Sequence, residues 1–446
     1  MKQKYTEPGW HKTNFDTFEK NLNGQSLTPL HIIRKKALSR FNELGFPTVR
    51  KEEWRFTNIS PIAQTPFKLS AGSEKVDNAA EKIDPYTLKD IKHTQLIFMN
   101  GQFVPELTVL HLPDGVRVKN LDRAIQEDKE IIEKFLAKNT NYMEQEFTAL
   151  NTAFISDGAF IYIPDGMILD SPIHILYMTD KPGESIVTHP RNLIIAGNNT
   201  QSTIVESYAG VNNEIYFTNP VTEVIAGENA VVDHYKLQRE CENAYHVAAF
   251  YVHQKKNSSF SSHSFSFGGS IVRNDIFNVL DGEGSDSILN GLYLAQKNQF
   301  IDNHSVIDHA KPHCHSNEVY HGILDDKAKA VFSGKIHVRP DAQKTDAIQS
   351  NKNILLSEEA TVDTKPQLEI FADDVRCTHG GTVGQIDENG VFYLRARGIN
   401  EQLAKNIMIH AFAGEIIKNI KIDQLRDVVD KLVATRLENG HLKHND

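Results

Sequence analysis

The phrases GNNTQSTIV at residues 197–205 and GENAVVDHY at 227–235 carry the pattern that decides the fold. Each begins with a turn of Gly, Asn or Asp, continues through one small residue and ends in alternating apolar positions. The phrase returns as KNSSFSSHSF from 256, GEGSDSIL from 282, DDKAKAVF from 325 and SEEATVD from 357. The small residue falls at Thr200, Ala230, Ser258, Ser285, Ala328 and Ala360.

The spacing of these small residues indicates a repeat of about 30 residues. The gaps are 30, 28, 27, 43 and 32, and the 43 becomes 13 plus 30 if KNQFID around Asn298 counts as a partial repeat. Coils of this length bury their inner faces only when they stack. The pattern therefore predicts a mainly β fold with a right-handed parallel β-helix core. A β-sandwich is the alternative, because it too has short strands between regular turns.

Helical patterns flank this core on both sides. Residues 30–44, 125–136 and 142–149 have helical spacing, residues 96–104 predict a small hairpin, and residues 70–85 predict a mobile polar linker. Asn400 is suited to cap a helix that starts at Glu401, and a second amphipathic helix starts at Asp423. The predicted domains are an N-terminal mostly helical region at 1–150, the β-helix at 151–392 and a C-terminal helical domain at 393–446.

The apolar faces of the C-terminal helices have two interpretations. They cover the end of the core, or they dock another protein. The candidate docking residues are Ile407, Ala411, Ile416, Leu425, Val429 and Leu432.

Composition and missing motifs exclude several classes of protein. The 446 residues carry a net charge of −10, which argues against a nucleic-acid-binding protein. The start of the chain lacks a secretory signal and no apolar stretch reaches 18 residues, so we expect a cytoplasmic chain without a membrane span. Gly334-Lys335 is followed by Ile336, and Ser287 replaces the third glycine of a dinucleotide motif, so we expect no bound nucleotide.

Two clusters of potential metal ligands stand out. The first comprises His304, His309, His313, Cys314, His315 and His321, which are ligand types for Zn, Fe or Cu. Alternation along a strand places His313 and His315 opposite Cys314, so one strand cannot direct all three to one metal. The other interpretation of this cluster is a ladder of histidines, some of them buried and hydrogen-bonded.

The second cluster is DDVRCTHGG at residues 373–381. Strand alternation places Cys377 and His379 on one face, about 7 Å apart. Two ligands do not complete a metal site, so a partner chain would supply the rest. Gly380-Gly381 predicts the end of this strand. The alternative interpretation involves no metal. In it, Cys377 is a buried thiol beside Val375, and His379 only caps the end of the strand.

The sequence resembles a known family over essentially the whole chain. KPQLEIFADDVRCTHGGTVGQIDENGVFYLRARGIN at 365–400, PTVRKEEWRFTN at 47–58 and the region 331–370 are similar to the SufB/SufD family of the SUF iron–sulfur cluster assembly system. CTHGGTVGQ matches the SufD branch, and the cysteine-rich N-terminal segment typical of SufB is missing.

The resemblance implies a non-catalytic scaffold in a complex with SufB and the ATPase SufC. It implies that SufC docks on the C-terminal helices and that two β-helices join near their C-terminal ends. It also implies that His379, with Cys377 beside it, meets a transient iron–sulfur cluster together with ligands from SufB. Self-pairing of the isolated chain as a homodimer is a further possibility.

Two functions of other classes remain open from the residues. One is a β-helix carbohydrate-active enzyme that uses Asp325, Asp326, Asp341, Asp346 and Asp363. The other is an iron-binding or iron-delivery protein that uses the histidines at 304–321.

Overall fold

Parallel strands stacked in two facing sheets form the centre of the computed structural model, which describes residues 9–22, 25, 28–70 and 78–441. From β5 onward, successive long strands alternate between the sheets, so each strand pairs with the second one after it. The result is a parallel β-solenoid of about eight turns, as the repeat predicts, with helices before and after it in the chain. The β-sandwich alternative is wrong because these ladders are parallel.

The strands of the described residues are numbered in chain order. They are β1 Lys68–Leu69, β2 Thr94–Met99, β3 Gln102–Phe103, β4 Arg117–Asn120, β5 Ala159–Ile163, β6 Ile173–Thr179, β7 Ile186–Thr188, β8 Arg191–Ala196, β9 Gln201–Gly210, β10 Phe217–Thr218, β11 Val221–Ala226, β12 Val231–Arg239, β13 Tyr245–Gln254, β14 Ser259–Ser266, β15 Ile271–Leu280, β16 Asp286–Ala295, β17 Phe300–His309, β18 His315–Leu324, β19 Lys329–Val338, β20 Asp346–Leu355, β21 Thr361–Ile370 and β22 Arg376–Gly384. The first sheet has the order β21-β19-β17-β15-β13-β11-β8-β5-β4, with β1, β7 and β10 beside it, and the second has the order β22-β20-β18-β16-β14-β12-β9-β6-β2-β3.

The helices lie before and after the solenoid. They are α1 Trp10–Lys20, α2 Pro29–Leu44, α3 Ser60–Gln64, α4 Ala79–Ile83, α5 Leu121–Glu127, α6 Lys129–Phe135, α7 Glu146–Ala153, α8 Glu388–Arg395, α9 Glu401–Ile417 and α10 Asp423–His441, with short 3-10 helices at Glu52–Trp54, Asp84–Tyr86 and Pro105–Leu107. Asn400 caps α9 as predicted, since its side chain accepts from the backbone N–H of Leu403 at 2.8 Å.

Several predicted boundaries differ from those of the structure. The helix predicted at 125–136 is two helices that meet at Asp128, and a boundary at 392 falls inside α8. The predicted hairpin belongs to the second sheet, because β2 pairs in parallel with β6. Of the linker predicted at 70–85, residues 71–77 lie outside the described residues, and the rest includes α4.

The repeated phrase marks the corners where the chain passes between sheets. At one corner Asn199, Asn229 and Asn257 adopt positive φ and their amides form a ladder, with bonds of 2.9 and 3.2 Å. The small residues at this corner are all buried and continue beyond Ser285 as Cys314 and Thr345. Ala328 and Ala360 belong to the opposite corner, before β19 and β21. The irregular gap of 43 therefore arises because the phrase occurs at two different corners.

The N-terminal helices cover the first sheet. Trp54, in the family-like stretch at 47–58, is buried beneath the guanidinium of Arg273, which lies 3.8 Å from its ring centroid. The same guanidinium donates to the backbone carbonyl of Glu53 and to the Asp302 carboxylate, both at 2.7 Å. Asp302 also accepts from the Thr57 hydroxyl. One buried arginine thus fastens the N-terminal segment to the solenoid.

The C-terminal helices cover the second sheet. Ile416, Leu425 and Val429 are at most 1% exposed and pack in one cluster with strand residues such as Leu237 and Phe265. Leu432 packs against the same cluster and is half-buried. The assignment of Ile416, Leu425 and Val429 as partner contacts is therefore wrong for the folded chain, because the sheet already occupies their apolar face. These residues do cover the chain's own core, but on the face of the second sheet and not, as predicted, at the end of the core.

The two ends of the solenoid differ. At the N-terminal end the outermost strands β3 and β4 are short and antiparallel to their neighbours. At the other end β21 and β22 are ten and nine residues long, and each has only one ladder neighbour within the described chain. Unpaired edges of this length are templates for pairing with another chain.

Candidate functional site

The last strand, β22, carries both residues of the second predicted cluster. It pairs in parallel with β20, which aligns Cys377 with Ala347 and His379 with Gln349. Ala347 and Gln349 are buried whereas Ile348, between them, is 48% exposed, so this face of β20 points into the solenoid. Cys377 and His379 share that inward face, at the mouth of the open end. The alternation predicted from sequence is consistent with this register.

Cys377 and His379 lie in different surroundings although they share a face. Cys377 is half-buried and packs against the cluster formed by Ile336, Val338 and Ala347, whereas His379 is exposed. Burial raises the pKa of the Cys377 thiol, and the negative charge of Asp346 adds to the effect. In the isolated chain Cys377 is therefore a protonated thiol at neutral pH, and a partner that brings positive charge or a metal would convert it to the thiolate.

The strand continues past the predicted end. Gly380 and Gly381 lie inside β22, which runs to Gly384. A Cβ on Gly381 would come within 3.0 Å of the Thr364 hydroxyl oxygen on β21, whereas Gly380 faces open space. Gly381 therefore allows β21 to pack closely against β22, and it does not end the strand.

Thiol modification tests the surroundings of Cys377. We expect carbamidomethylation of Cys377 to rise more steeply between pH 7.5 and 9.5 than that of an unstructured peptide of the same sequence, because the raised pKa leaves less thiolate at the lower pH. The rates for the protein and for the peptide are measured by peptide mass spectrometry. Steric hindrance lowers their ratio equally at every pH, so a change of this ratio with pH reports the pKa.

Asp346→Asn is the matched variant for this measurement. It removes the nearby negative charge, so it should flatten the pH dependence of the Cys377 rate. A profile for wild-type Cys377 identical to that of the peptide would contradict the assignment of a protonated thiol.

The histidine-rich cluster does not form a metal site. Within the described part of the chain, no group of three or more His, Cys, Asp or Glu side chains is placed to hold a metal ion. Cys314 belongs to the ladder of small residues at the corner, where its thiol donates to the carbonyl of Gly282. His309 bonds the Ser316 hydroxyl inside the solenoid, and His321 stacks on Phe412 of α9. These two histidines are buried and hydrogen-bonded, as that interpretation expected, but they lie on strands of different sheets and do not stack as a ladder.

The other members of this cluster point elsewhere. His304 lies 2.9 Å from the Asp302 carboxylate, in the cluster that fastens the N-terminal segment. His313 occupies a corner with positive φ, and His315 is exposed at the start of β18.

The carboxylates of the carbohydrate-enzyme alternative are also separated. Asp325 and Asp326 lie at the corner before β19, whereas Asp341 lies at the opposite corner and Asp346 begins β20 directly after it. A ten-residue strand of about 33 Å separates the two corners, so these four do not face one substrate. Asp363 lies on β21.

A surface of apolar side chains lies on α8 and α9. Phe392 and Tyr393 of α8 are 72% and 57% exposed, and Leu403 of α9 is 49% exposed. The predicted residues Ile407 and Ala411 are also exposed and follow Leu403 at intervals of four, on one helical face. We call these five residues the C-terminal apolar surface. Sequence reasoning missed Phe392 and Tyr393 because it extended the solenoid to 392; the run VFYLR is the signal that could have revealed α8.

Comparison with known families decides the classification. Residues 177–412 match the family described as SUF system FeS cluster assembly, SufBD core domain, and residues 10–175 match the SufBD protein N-terminal region. Together the two matches span most of the chain.

The chain belongs to the SufBD family.

Relatives in this family come from diverse bacteria. An iron–sulfur cluster assembly SufBD family protein of Synechocystis sp. is 35% identical over 412 residues, 90% of each chain. The iron–sulfur cluster assembly protein SufD of Escherichia coli is 30% identical over 90% of this chain and 92% of its own. The SufD protein of Bacillus subtilis is 25% identical over 97% of this chain and 96% of its own. The resemblance stated from the sequence is confirmed at the level of the family.

Membership in the SufBD family makes iron–sulfur cluster assembly the process in which this chain takes part. Among the described residues, no helix is both long and apolar enough to span a membrane.

Proposed function

We propose that the chain is a SufD-type scaffold subunit, non-catalytic itself, that works in a cytoplasmic complex with SufB and SufC. The observation that carries the proposal is the open end of the solenoid, where the last strand holds Cys377 and His379 on its inward face. A thiol and an imidazole are suitable ligands for iron, but four ligands are typical of a cluster. The chain therefore supplies part of a ligand set, and SufB supplies the remainder.

The unpaired edges of β21 and β22 support a junction with a second solenoid. Pairing strand to strand would place the partner's residues directly beside Cys377 and His379, since β22 is the outermost strand of its sheet. The nascent cluster is then the cargo held between two chains, which is in keeping with the lack of a complete ligand set among the described residues.

The C-terminal apolar surface is the proposed dock for SufC. Exposed aromatic residues are typical centres of protein interfaces, and Phe392 and Tyr393 are the most exposed large apolar residues of the described C-terminal helices. Only residues 385–387 separate β22 from α8. A pull on α8, driven by ATP hydrolysis in SufC, is therefore transmitted directly to the strand that carries His379.

Replacement of the two aromatic residues tests the dock. We expect the double variant Phe392→Ala, Tyr393→Ala to bind SufC at least about fivefold more weakly in a titration by calorimetry, the effect of losing interface anchors worth about 1 kcal/mol or more. Recovery of SufB on co-purification should be unchanged, because the edges of β21 and β22 are intact.

Ile168→Ala is the matched control for that experiment. Ile168 is an apolar side chain, 61% exposed, in the part of the chain between β5 and β6. Wild-type SufC affinity in the double variant would refute the dock. Truncation at Arg397 is a poorer test, because it strips α9 and α10 from the second sheet and exposes its apolar residues.

A further inference from the structure

A column of polar side chains leads from the interior of the solenoid to His379. The registers of β18, β20 and β22 align Glu318 with Gln349 and Gln349 with His379. Glu318 and Gln349 are both buried and lie on the inward face. Neighbouring strands are about 4.8 Å apart, so the three side chains form consecutive steps of one ladder.

The side-chain amide of Gln349 has a hydrogen-bond partner for its nitrogen but none within the described chain for its oxygen. Its Nε2 donates to Oε2 of Glu318 at 2.7 Å. Its Oε1 is buried, and among the described residues no group donates to it. A buried amide oxygen without a donor is costly, and each such atom in a folded protein calls for an explanation.

The surrounding chain leaves room for this amide. Gly334 lies within β19 of the facing first sheet and does not have a positive φ, so its backbone conformation does not require glycine. A Cβ on Gly334 would lie 2.4 Å from Nε2 of Gln349. Glycine at 334 therefore creates the space that the Gln349 amide occupies.

We propose that Gln349 is a positioning residue for His379, an inference that rests on the proposed function of His379 as a ligand of the nascent cluster. The free Oε1 of Gln349 accepts the N–H of one ring nitrogen of His379. The other ring nitrogen then carries the lone pair and is presented at the open end. Histidine ligands of metals commonly have their second nitrogen fixed in this way by an oxygen acceptor.

Glu318 determines which end of the amide faces β22. Its carboxyl group accepts from the amide nitrogen, so the amide oxygen is left on the side of His379. Burial raises the pKa of Glu318 to about 7, and above that pH the ionised carboxylate can only accept, which fixes the amide nitrogen on its side. The ring of His379 is exposed, so rotation about its side-chain bonds is available to turn it toward this oxygen.

The tautomer of His379 is the test, because a merely structural role of Gln349 would leave it unchanged. The full chain labelled with 15N-histidine would be studied by long-range 1H–15N NMR at a pH where the ring is neutral. His379→Gln assigns the signal by its loss. We expect the ratio of the two neutral tautomers of His379 to be about twofold to tenfold larger in wild type than in Gln349→Met. This is the effect of one hydrogen bond.

Three further variants make this result decisive. Gln349→Glu retains an oxygen acceptor and should retain the bias, whereas Ser350→Ala, on the outward face of the same strand, should leave it unchanged. If Gln349→Met does not fold, Glu318→Gln frees the amide orientation and should reduce the bias. Equal tautomer ratios in wild type and in the folded variant would overturn the proposal. The readout is independent of cluster formation, so failure of the proposed function would be seen separately, in the cluster yield of His379→Ala.

Discussion

The substitution His379→Ala is expected to abolish most cluster formation while leaving the complex with SufB and SufC assembled. His379 is exposed on the outermost strand, so its removal takes away no buried packing and costs little folding free energy. It is, however, the imidazole that the chain presents at the open end. We expect the yield of reconstituted cluster, measured by its visible absorption and by iron and sulfide content, to fall at least about tenfold, as is typical when the surroundings of a metal lose one group.

His315→Ala is the matched control for this substitution. His315 is also exposed and also lies on the second sheet, at the start of β18, but away from the open end. Its variant should assemble clusters like the wild type. Wild-type cluster yield from His379→Ala, in a complex of normal stoichiometry, would remove His379 from the ligand set and leave the chain with a purely structural role at the junction.

Of the substitutions predicted here, Arg273→Met is expected to cause the largest loss in the free energy of unfolding. The Arg273 guanidinium lies between the carboxylates of Asp275 and Asp302 and over the ring of Trp54, all in the interior. Removing one member of a buried ion pair leaves an uncompensated charge and typically costs about 3–5 kcal/mol. We expect a loss of that size in the free energy of unfolding by urea, with detachment of the segment around Trp54.

Arg339→Met supplies the comparison, because Arg339 directly follows β19 of the same sheet. Arg339 makes a two-pronged pair with Asp308, but both groups are partly exposed, so the expected loss is about 1 kcal/mol or less. Equal losses from the two variants would show that burial does not determine the importance of Arg273.

The pH dependence of Arg273→Met has a definite sign. Although burial alone would raise it, His304 and Arg273 hold the pKa of Asp302 below its ordinary value. A lowered pKa in the folded state contributes stability above the unfolded pKa, and that stability is lost as the pH falls through the folded pKa. Without Arg273 the carboxyl takes up a proton more readily. The difference in stability between wild type and Arg273→Met should therefore shrink on acidification.

The sequence alone determined the architecture, because the repeat is a local property of the chain. A corner needs a residue that tolerates positive φ and a small residue that fits beneath the next coil, so Asn199, Asn229 and Thr200 show their roles without knowledge of distant contacts. The cap at Asn400 is local in the same sense. The motif around Cys377 and His379 identified the family, since it is contiguous.

Only the tertiary structure decided which apolar and polar residues are available for function. The helical pattern of α9 and α10 is the same whether its apolar face meets a sheet or a partner, and the fold assigns Ile416 and Val429 to the sheet. Cys314 and the histidines near it are close in sequence but separated in space, because they are distributed over β17, β18 and the corner between them, and the two strands belong to different sheets. Conversely, Glu318, Gln349 and His379 are about 30 residues apart and become neighbours only through the register of three strands. Contacts set by register depend on the length of every intervening coil, and no local pattern records them.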